Sequence, residues 1–263
     1  MMQNSFVRLN GISNNIWHLL LDRPSLHNAF NTQLANELIA HCHHIDTSND
    51  IRAAVIVSGQ GQSFCSGADL KERKLIKSSK QWLEQHRIFE HMFNSLARLK
   101  QPTIACVEGF ALAGGFELAL NCDIIIASRS ASFGLSEVTR GIMPGGGGTQ
   151  LLTRLVGPAR AKHIAITGRR VTAQEAYDMG IVQILTDESN ALNKGIELAT
   201  TIAANAPLAA RAIKQAIDEG WGKNSDEAKG IELKYYEQLI DTEDRHEGIR
   251  AFNEKRKPQW KGN

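Results

Sequence analysis

The sequence predicts a mixed α/β protein in which short buried strands alternate with helices up to about residue 190, after which helices alone continue. Three observations carry that prediction. Ile51–Ser58 (IRAAVIVS), Thr103–Val107 (TIACV) and Asp123–Ala127 (DIIIA) are short, largely apolar and rich in β-branched residues, the texture of buried strands. Between the last two, the pair Gly114–Gly115 leads into the helical composition of Phe116–Leu120, so strand, glycine turn, helix and strand follow in order. Beyond residue 190 the strand-like runs stop and amphipathic periodicity takes over. At 263 residues the chain has room for one large domain with a smaller appendage. The expected division is a core over residues 1–190 and a helical region over 191–263.

Composition narrows the function classes. A hydrophobic share of 42% and a charged share of 22% belong to a globular protein, and apolar runs are too short to span a bilayer. A formal net charge of +2 exerts no general pull on nucleic acid or membranes. The four cysteines, Cys42, Cys65, Cys106 and Cys122, show no C-x-x-C spacing and read as buried thiols in a reducing compartment. The N-terminal MMQNSFVRLN resembles neither a signal peptide nor a transit arm, so the expected location is cytoplasmic.

In chain order, Phe6–Leu9 and Ile16–Leu21 read as strands of a hairpin around the turn-rich Asn10–Asn15. Pro24 cannot donate to a ladder, so Asp22-Arg23-Pro24 ends the second strand. Asn31 is the predicted N-cap of a helix whose apolar positions Leu34, Leu38, Ile39, Cys42 and Ile45 follow helical spacing. His41, His43 and His44 cluster near its end, where cations suit the helix dipole; no carboxylate or thiol pattern completes a metal-binding set. The loop after Ile51–Ser58 is not a dinucleotide fingerprint, because no G-x-G-x-x-G opens a helix there. Cys65 in this loop has no evident activating histidine and reads as buried. Lys71–Lys80 carries five cations against Glu72 alone and reads as a solvated helix face, placed where it could also receive phosphates.

Trp82–Leu99 is a helix by length and period, closed by Gln101-Pro102. Gly145–Gly148 is not a P-loop, since no G-K-[ST] follows. Thr172-x-x-Glu175 is a capping box, with Gly180 placed to end the short helix it opens. The tail helices are Ala191–Ala204, Pro207–Glu219, Ser225–Leu239 and Glu243–Arg256. Helical tails of this kind dock on neighbours, which makes self-association an expectation.

The segment with most chemistry is Gly109–Cys122, GFALAGGFELALNC. A glycine pair opening a helix leaves backbone N–H groups without partners. Glu117 is a lone acid among apolar residues, costly to bury unless paired, hydrogen-bonded or used. Taken alone, the segment fits an anion-stabilising, proton-moving site and a capped tight turn equally.

Three segments then converge. SFCSGADLKER (Ser63–Arg73), GFALAGGFELALNCDI (Gly109–Ile124) and FGLSEVTRGIMPGGGGTQLLTRLVG (Phe133–Gly157) resemble the enoyl-CoA hydratase/isomerase, or crotonase, superfamily. The likeness continues through Thr167–Val182 to Arg245–Trp260 and so covers essentially the whole chain. It implies a crotonase-like spiral of β-β-α units followed by a C-terminal helical region that forms trimers, often paired into hexamers.

By the same resemblance, the backbone N–H groups of Ala68 and Gly114 form an oxyanion hole for the thioester oxygen. Glu117 and Glu137 hold a water over the substrate double bond, Glu117 deprotonating it and Glu137 protonating the α-carbon. Both acids together imply a hydratase, because relatives that only move the double bond need the acid at the Glu137 position alone. The resemblance puts the adenine of coenzyme A near Ser25, Leu26 and His27 and the loop Ser66, Gly67, Ala68, Asp69 and Leu70, with Lys71 on phosphate. Tyr236 and Lys255 match positions that reach a neighbouring subunit's coenzyme A. Phe116 stands where relatives have a small residue or cysteine and is expected to shape the acyl pocket. No cofactor is implied, since coenzyme A is part of the substrate.

GADLKER and FGLSE are also similar to the methylglutaconyl-CoA hydratases. Such a substrate carries a second carboxylate and needs a cation in the acyl pocket, which the sequence does not place. Some relatives bind RNA through a lysine-rich helix, but the small net charge and the lack of interleaved aromatics in Lys71–Lys80 argue against a nucleic-acid partner.

Overall fold

The computed structural model describes residues 5–13, 15–48 and 54–263. Strands β1 (Val7–Ser13) and β2 (Ile16–Leu21) form the expected antiparallel hairpin, Val7 opposite Leu21. β1 runs on through residues expected in the turn: Asn10 and Gly11 continue the same register onto His18 and Trp17, and an irregularity between Gly11 and Ser13 then brings Ser13 opposite Ile16. A 3₁₀ turn at Pro24–Leu26 follows, then α1 (Thr32–Thr47), whose first turn is held by Asn31 Oδ1 accepting from the Leu34 N–H at 2.9 Å. His41 Nε2 lies 3.1 Å from the Val7 carbonyl, and His44 stands edge-on to Trp17.

β3 (Ala54–Gly59) supplies the next strand; Ile51–Ala53 lie outside the described residues. Then come β4 (Ser63–Cys65), α2 (Leu70–Arg73) and α3 (Ser79–Ala97), the last beginning ahead of the predicted Trp82 behind its N-cap Ser78. The cations of Lys71–Lys80 are therefore not one solvated helix face: α2 ends at Arg73, and α3 starts after a turn.

The spiral follows from how the next strands are shared out. β3, β5 (Thr103–Val107) and β7 (Ile124–Ser128) lie side by side and parallel in a six-stranded sheet of order β1-β2-β3-β5-β7-β10, with β10 at Ile184–Thr186. Each is followed by a three-residue strand of a second sheet: β4 after β3, β6 (Phe110–Leu112) after β5, and β8 (Ser132–Gly134) after β7. These run parallel in the order β4-β6-β8, and the antiparallel β9 (Val171–Thr172) closes the edge. Strand positions β3, β5 and β7 are apolar on both faces because both faces are covered. One face meets the main core of Val55, Val57, Ala105 and Val107 with Phe64, Leu118 and Phe133.

Helix α4 (Gly114–Leu120) leaves β6, and α5 (Gly148–Val156), α6 (Pro158–Thr167) and α7 (Ala173–Asp178) follow β8. The Thr172/Glu175 capping box forms in both directions at the start of α7. The tail helices are α8 (Ala191–Ala203), α9 (Pro207–Gly220), α10 (Ser225–Glu237) and α11 (Glu243–Asn253). α8 packs on the sheet itself: Ala191 and Ala199 cover Ile16, Ile56, Ile104, Cys106 and Ile126. Among the described residues no helix is long and apolar enough to cross a membrane.

Candidate active site

Three adjacent strands end at one place. Ala68 follows β4, Gly114 follows β6 and Glu137 follows β8, so equivalent points of three successive spiral turns converge on a cavity of about 580 Å³. Glu117 reaches it from the first turn of α4, and α3 forms the opposite wall with Trp82, His86, Phe89 and Phe93.

Both main-chain donors are left over by the local backbone. Phe30 and Ala68 form a parallel bridge whose hydrogen bonds run from Phe30 N–H to Gly67 O at 2.9 Å and from Asp69 N–H to Phe30 O at 2.8 Å. That pattern turns the Ala68 N–H away from the bridge. Gly114 is the first residue of α4 and has no helical carbonyl behind it. The turn into α4 is made by Ala113 at φ 50°, a left-handed value that costs energy for a residue with a β-carbon. Gly114 itself must be glycine, since a β-carbon there would lie 2.5 Å from Phe30 Cζ.

The loop carrying Ala68 is fixed from behind. Asp69 caps α2 through the Lys71 N–H at 2.9 Å and pairs with Arg23 Nη1 at 2.7 Å, both side chains being nearly buried. Cys65 is fully buried, and burial pushes its thiol up to about 12, so it remains a thiol.

The two acids differ sharply in surroundings. Glu117 Oε1 accepts from the Gly146 N–H at 2.7 Å and the Gly148 N–H at 2.9 Å. Burial raises the Glu117 pKa; the Gly148, Gly146 and Gly145 amides and the charge field of His86 oppose that rise without cancelling it. Glu137, at 6% exposure, has both carboxyl oxygens buried without a hydrogen-bond partner. Burial, reinforced by the Glu117 charge and resisted by its own backbone and Arg140, pushes its carboxyl up to about 7. The glycine run, which the sequence marked only as not a P-loop, is thus the cradle of Glu117. A β-carbon at Gly148 would stand 2.9 Å from Glu117 Oε1. Gly148→Ala is expected to swing the carboxylate out of line and lower kcat about tenfold with little change in KM, measured by steady-state kinetics.

The remaining predicted contacts divide. Ser66, Ala68 and Leu70 line the cavity. Ser25, Leu26 and His27 do not, but they lie against its rim: the Ser66 N–H donates to His27 O at 3.0 Å. Gly67 is buried beneath the Gly114 turn, Asp69 is consumed by Arg23 and the α2 cap, and Lys71 is exposed outside the cavity. Phe116 is a correction. It is fully buried, its ring packs on Phe133 at 5.3 Å in the core, and it forms no part of the cavity wall. The residue next to a first-turn acid points about 100° away around the helix, so Phe116 and Glu117 cannot share one side. Tyr236 lines a separate apolar hollow with Leu239, Ile249 and Trp260, and Lys255 is exposed.

Sequence reasoning missed Arg73, Trp82, His86 and Arg140, all on the cavity wall. The signal lay in the spacing of Arg73 to Trp82 and Phe89, hidden by reading the basic run as one outward helix face. Among the described residues, no group of three or more His, Cys, Asp or Glu side chains is arranged to hold a metal.

The chain as a whole has counterparts among known proteins. A family model, enoyl-CoA hydratase/isomerase, matches residues 11–263. The chain belongs to that family. The chain is 39% identical to human enoyl-CoA hydratase domain-containing protein 2, mitochondrial, over 97% of its own length and 88% of that protein's. It is 38% identical to an enoyl-CoA isomerase/hydratase of Mycosarcoma maydis, covering 94% and 93% of the two chains. A crystal structure of enoyl-CoA hydratase from Bacillus anthracis superposes with a TM-score of 0.95 at 39% identity, over 98% of this chain and all of that one. The mixed α/β spiral with its helical tail is the crotonase fold.

Proposed function

We propose that the protein is an enoyl-CoA hydratase, adding water across the 2,3 double bond of a 2-enoyl-CoA thioester to give the 3-hydroxyacyl-CoA. The observation that carries this reading is the inequality of the two acids. Glu117 is held by two amides that favour its anion, whereas Glu137 is buried with no other residue donating to its carboxyl, which favours its neutral acid.

In this reading the thioester oxygen rests between the Ala68 and Gly114 N–H groups, which stabilise the negative charge that grows there as the β-carbon is attacked. Glu117 takes a proton from the water as its oxygen bonds to the β-carbon. Glu137 delivers its proton to the α-carbon, and the electrons return from the enolate oxygen to restore the thioester. One proton then passes from Glu117 to Glu137 to reset the pair. The adenine end lies along Ser25–His27 and Ser66–Leu70, with Lys71 beside the phosphates. Tyr236 and Lys255 serve a neighbour's coenzyme A in a trimer or a dimer of trimers. Coenzyme A enters as part of the substrate, and no separate cofactor takes part.

The test is loss of the enoyl-thioester absorbance with crotonyl-CoA, run beside a 3-enoyl-CoA. Hydration of crotonyl-CoA that collapses in Glu117→Gln supports the proposal. Double-bond migration of the 3-enoyl ester without hydration would assign the protein to the isomerases instead.

A further inference from the structure

Three rings on one face of α3 back the residues that build the site. His86, Phe89 and Phe93 stand at helical spacings of three and seven, so they share one side of α3, and all three line the cavity. A β-carbon at Gly145 would lie 2.5 Å from His86 Cε1. One at Gly146 would lie 2.5 Å from Phe93 Cδ2 and 2.7 Å from Phe93 Cζ. Neither glycine has a left-handed backbone, unlike Gly147 at φ 97°, so backbone conformation does not demand glycine at 145 or 146. The rings do, because each lies directly on the main chain.

On its other side the same run faces α4. The Gly146 and Gly148 amides donate to Glu117 Oε1, and Asn121 Nδ2 donates to the Gly146 carbonyl at 3.0 Å. The run is therefore a single layer of backbone between two helices. α4 supplies the acceptor that draws it in, and the α3 rings limit how far it can retreat. Phe93 is itself fixed, at 4% exposure and with Phe30 edge-on to it at 5.8 Å. A close-packed interior transmits a displacement and does not absorb it. Phe89 acts likewise on the other half of the site, standing edge-on at 4.9 Å to Phe30, the ring on which Gly114 closes.

We infer that His86 and Phe93 are positioning residues: they fix the distance of the Gly145–Gly148 run from α4 and so keep both amides on the Glu117 carboxylate. In this role neither touches a reacting atom. The inference rests on the proposed hydration only for what it predicts about rate; the placement of the amides is read without turnover.

The experiment pairs Phe93→Val, which removes the ring atoms nearest Gly146, with Gly146→Ala, which adds the carbon they exclude; His86→Ala is made alongside. Each single change should lower kcat for crotonyl-CoA about tenfold with KM held within about twofold, since a misplaced group is felt in the transition state. The double variant Phe93→Val/Gly146→Ala should recover to within about threefold of wild type, because the new methyl occupies the vacated space. Deuterium exchange at the Gly148 amide, followed by NMR with isotope-labelled glycine, should be at least about tenfold faster in each single variant and return in the double. Gly195 is the reference: it lies in α8, packed on Cys106 across the sheet from α3, and its exchange should not change.

A single variant that keeps the wild-type kcat overturns the inference for the residue it alters, whatever its exchange does. So does a double variant no faster than Phe93→Val alone, or a rise in exchange at Gly195 equal to that at Gly148, which would mean general loosening. If wild type never hydrates crotonyl-CoA, the hydratase reading falls. Exchange at Gly148 then decides the inference alone: a local rise upholds it, and no rise ends it.

Discussion

Glu137→Gln should lower kcat for hydration about a thousandfold, within the range that a positioned acid–base group contributes. The amide fits the same space and makes the same few contacts, so the loss reports proton delivery and not collapse of the cavity. The pH dependence follows from the same burial. Glu137 must be protonated to donate, and its carboxyl titrates at about 7, so kcat/KM should fall as pH rises through that value. In the variant this falling limb should vanish along with most of the rate. Folding stability carries the same sign. The folded-state pKa lies above the ordinary 4.5, so the folded chain holds the proton more tightly than the unfolded chain between 4.5 and about 7. Stability contributed at this position is therefore full below that window and is lost as pH rises through it. Thermal melts should show the variant gaining on wild type from pH 5 to pH 8. A variant that hydrates crotonyl-CoA at the wild-type rate sinks the assignment of Glu137 as the acid.

Gly114→Ala should cost about a hundredfold in kcat, the typical loss when one oxyanion donor is displaced. The new β-carbon would meet Phe30 Cζ at 2.5 Å and Cε1 at 2.8 Å. Phe30 cannot retreat, because Phe89 and Phe93 stand edge-on to it at 4.9 and 5.8 Å. The start of α4 must move instead and carries the Gly114 N–H with it. Overpacking of this kind also costs stability, about 1–3 kcal/mol, so the melting temperature should drop as well. Adding Phe30→Leu makes room for the β-carbon and should return part of the rate. If kcat is unchanged while the melting temperature falls, Gly114 is a packing residue and its amide is not the donor.

What could be read from the chain, and what could not, follows the length scale of each signal. The buried strands β5 and β7, the Asn31 cap, the Thr172/Glu175 box and the tail helices are announced by local composition. The second sheet is not, because strands of three residues such as Ser63–Cys65 and Phe110–Leu112 are too short to show a period. Gly114 and Glu117 stand out locally, as a glycine pair opening a helix and a lone acid among apolar residues, whereas Ala68 and Glu137 were legible only through family resemblance; the fold brings all four to one cavity. Phe116 misled because the resemblance compares side-chain size position by position, and a bulky residue where relatives have a small one can fill the core beside Phe133 instead of the cavity. Arg73 was hidden for a different reason: charge patterning treats a basic run as one surface, whereas a turn between α2 and α3 lets one of its members face inward. The hydrogen bonds from Gly146 and Gly148 to Glu117 cross about thirty residues, and nothing local in a glycine run names its distant acceptor.

Those bonds have a consequence for how such a site can change over generations. Under the proposed reaction Glu117 is at once a reactive group and the peg on which the loop of Gly146 and Gly148 hangs, so a mutation there forfeits the shape of the cavity together with its chemistry. Glu137 hangs nothing: its carboxyl oxygens take no hydrogen bond from another residue, and another side chain can replace it without dislodging a neighbour. A lineage that inherits this scaffold can therefore explore new reactions first at position 137, keeping the thioester cradle and the loop intact while it does so.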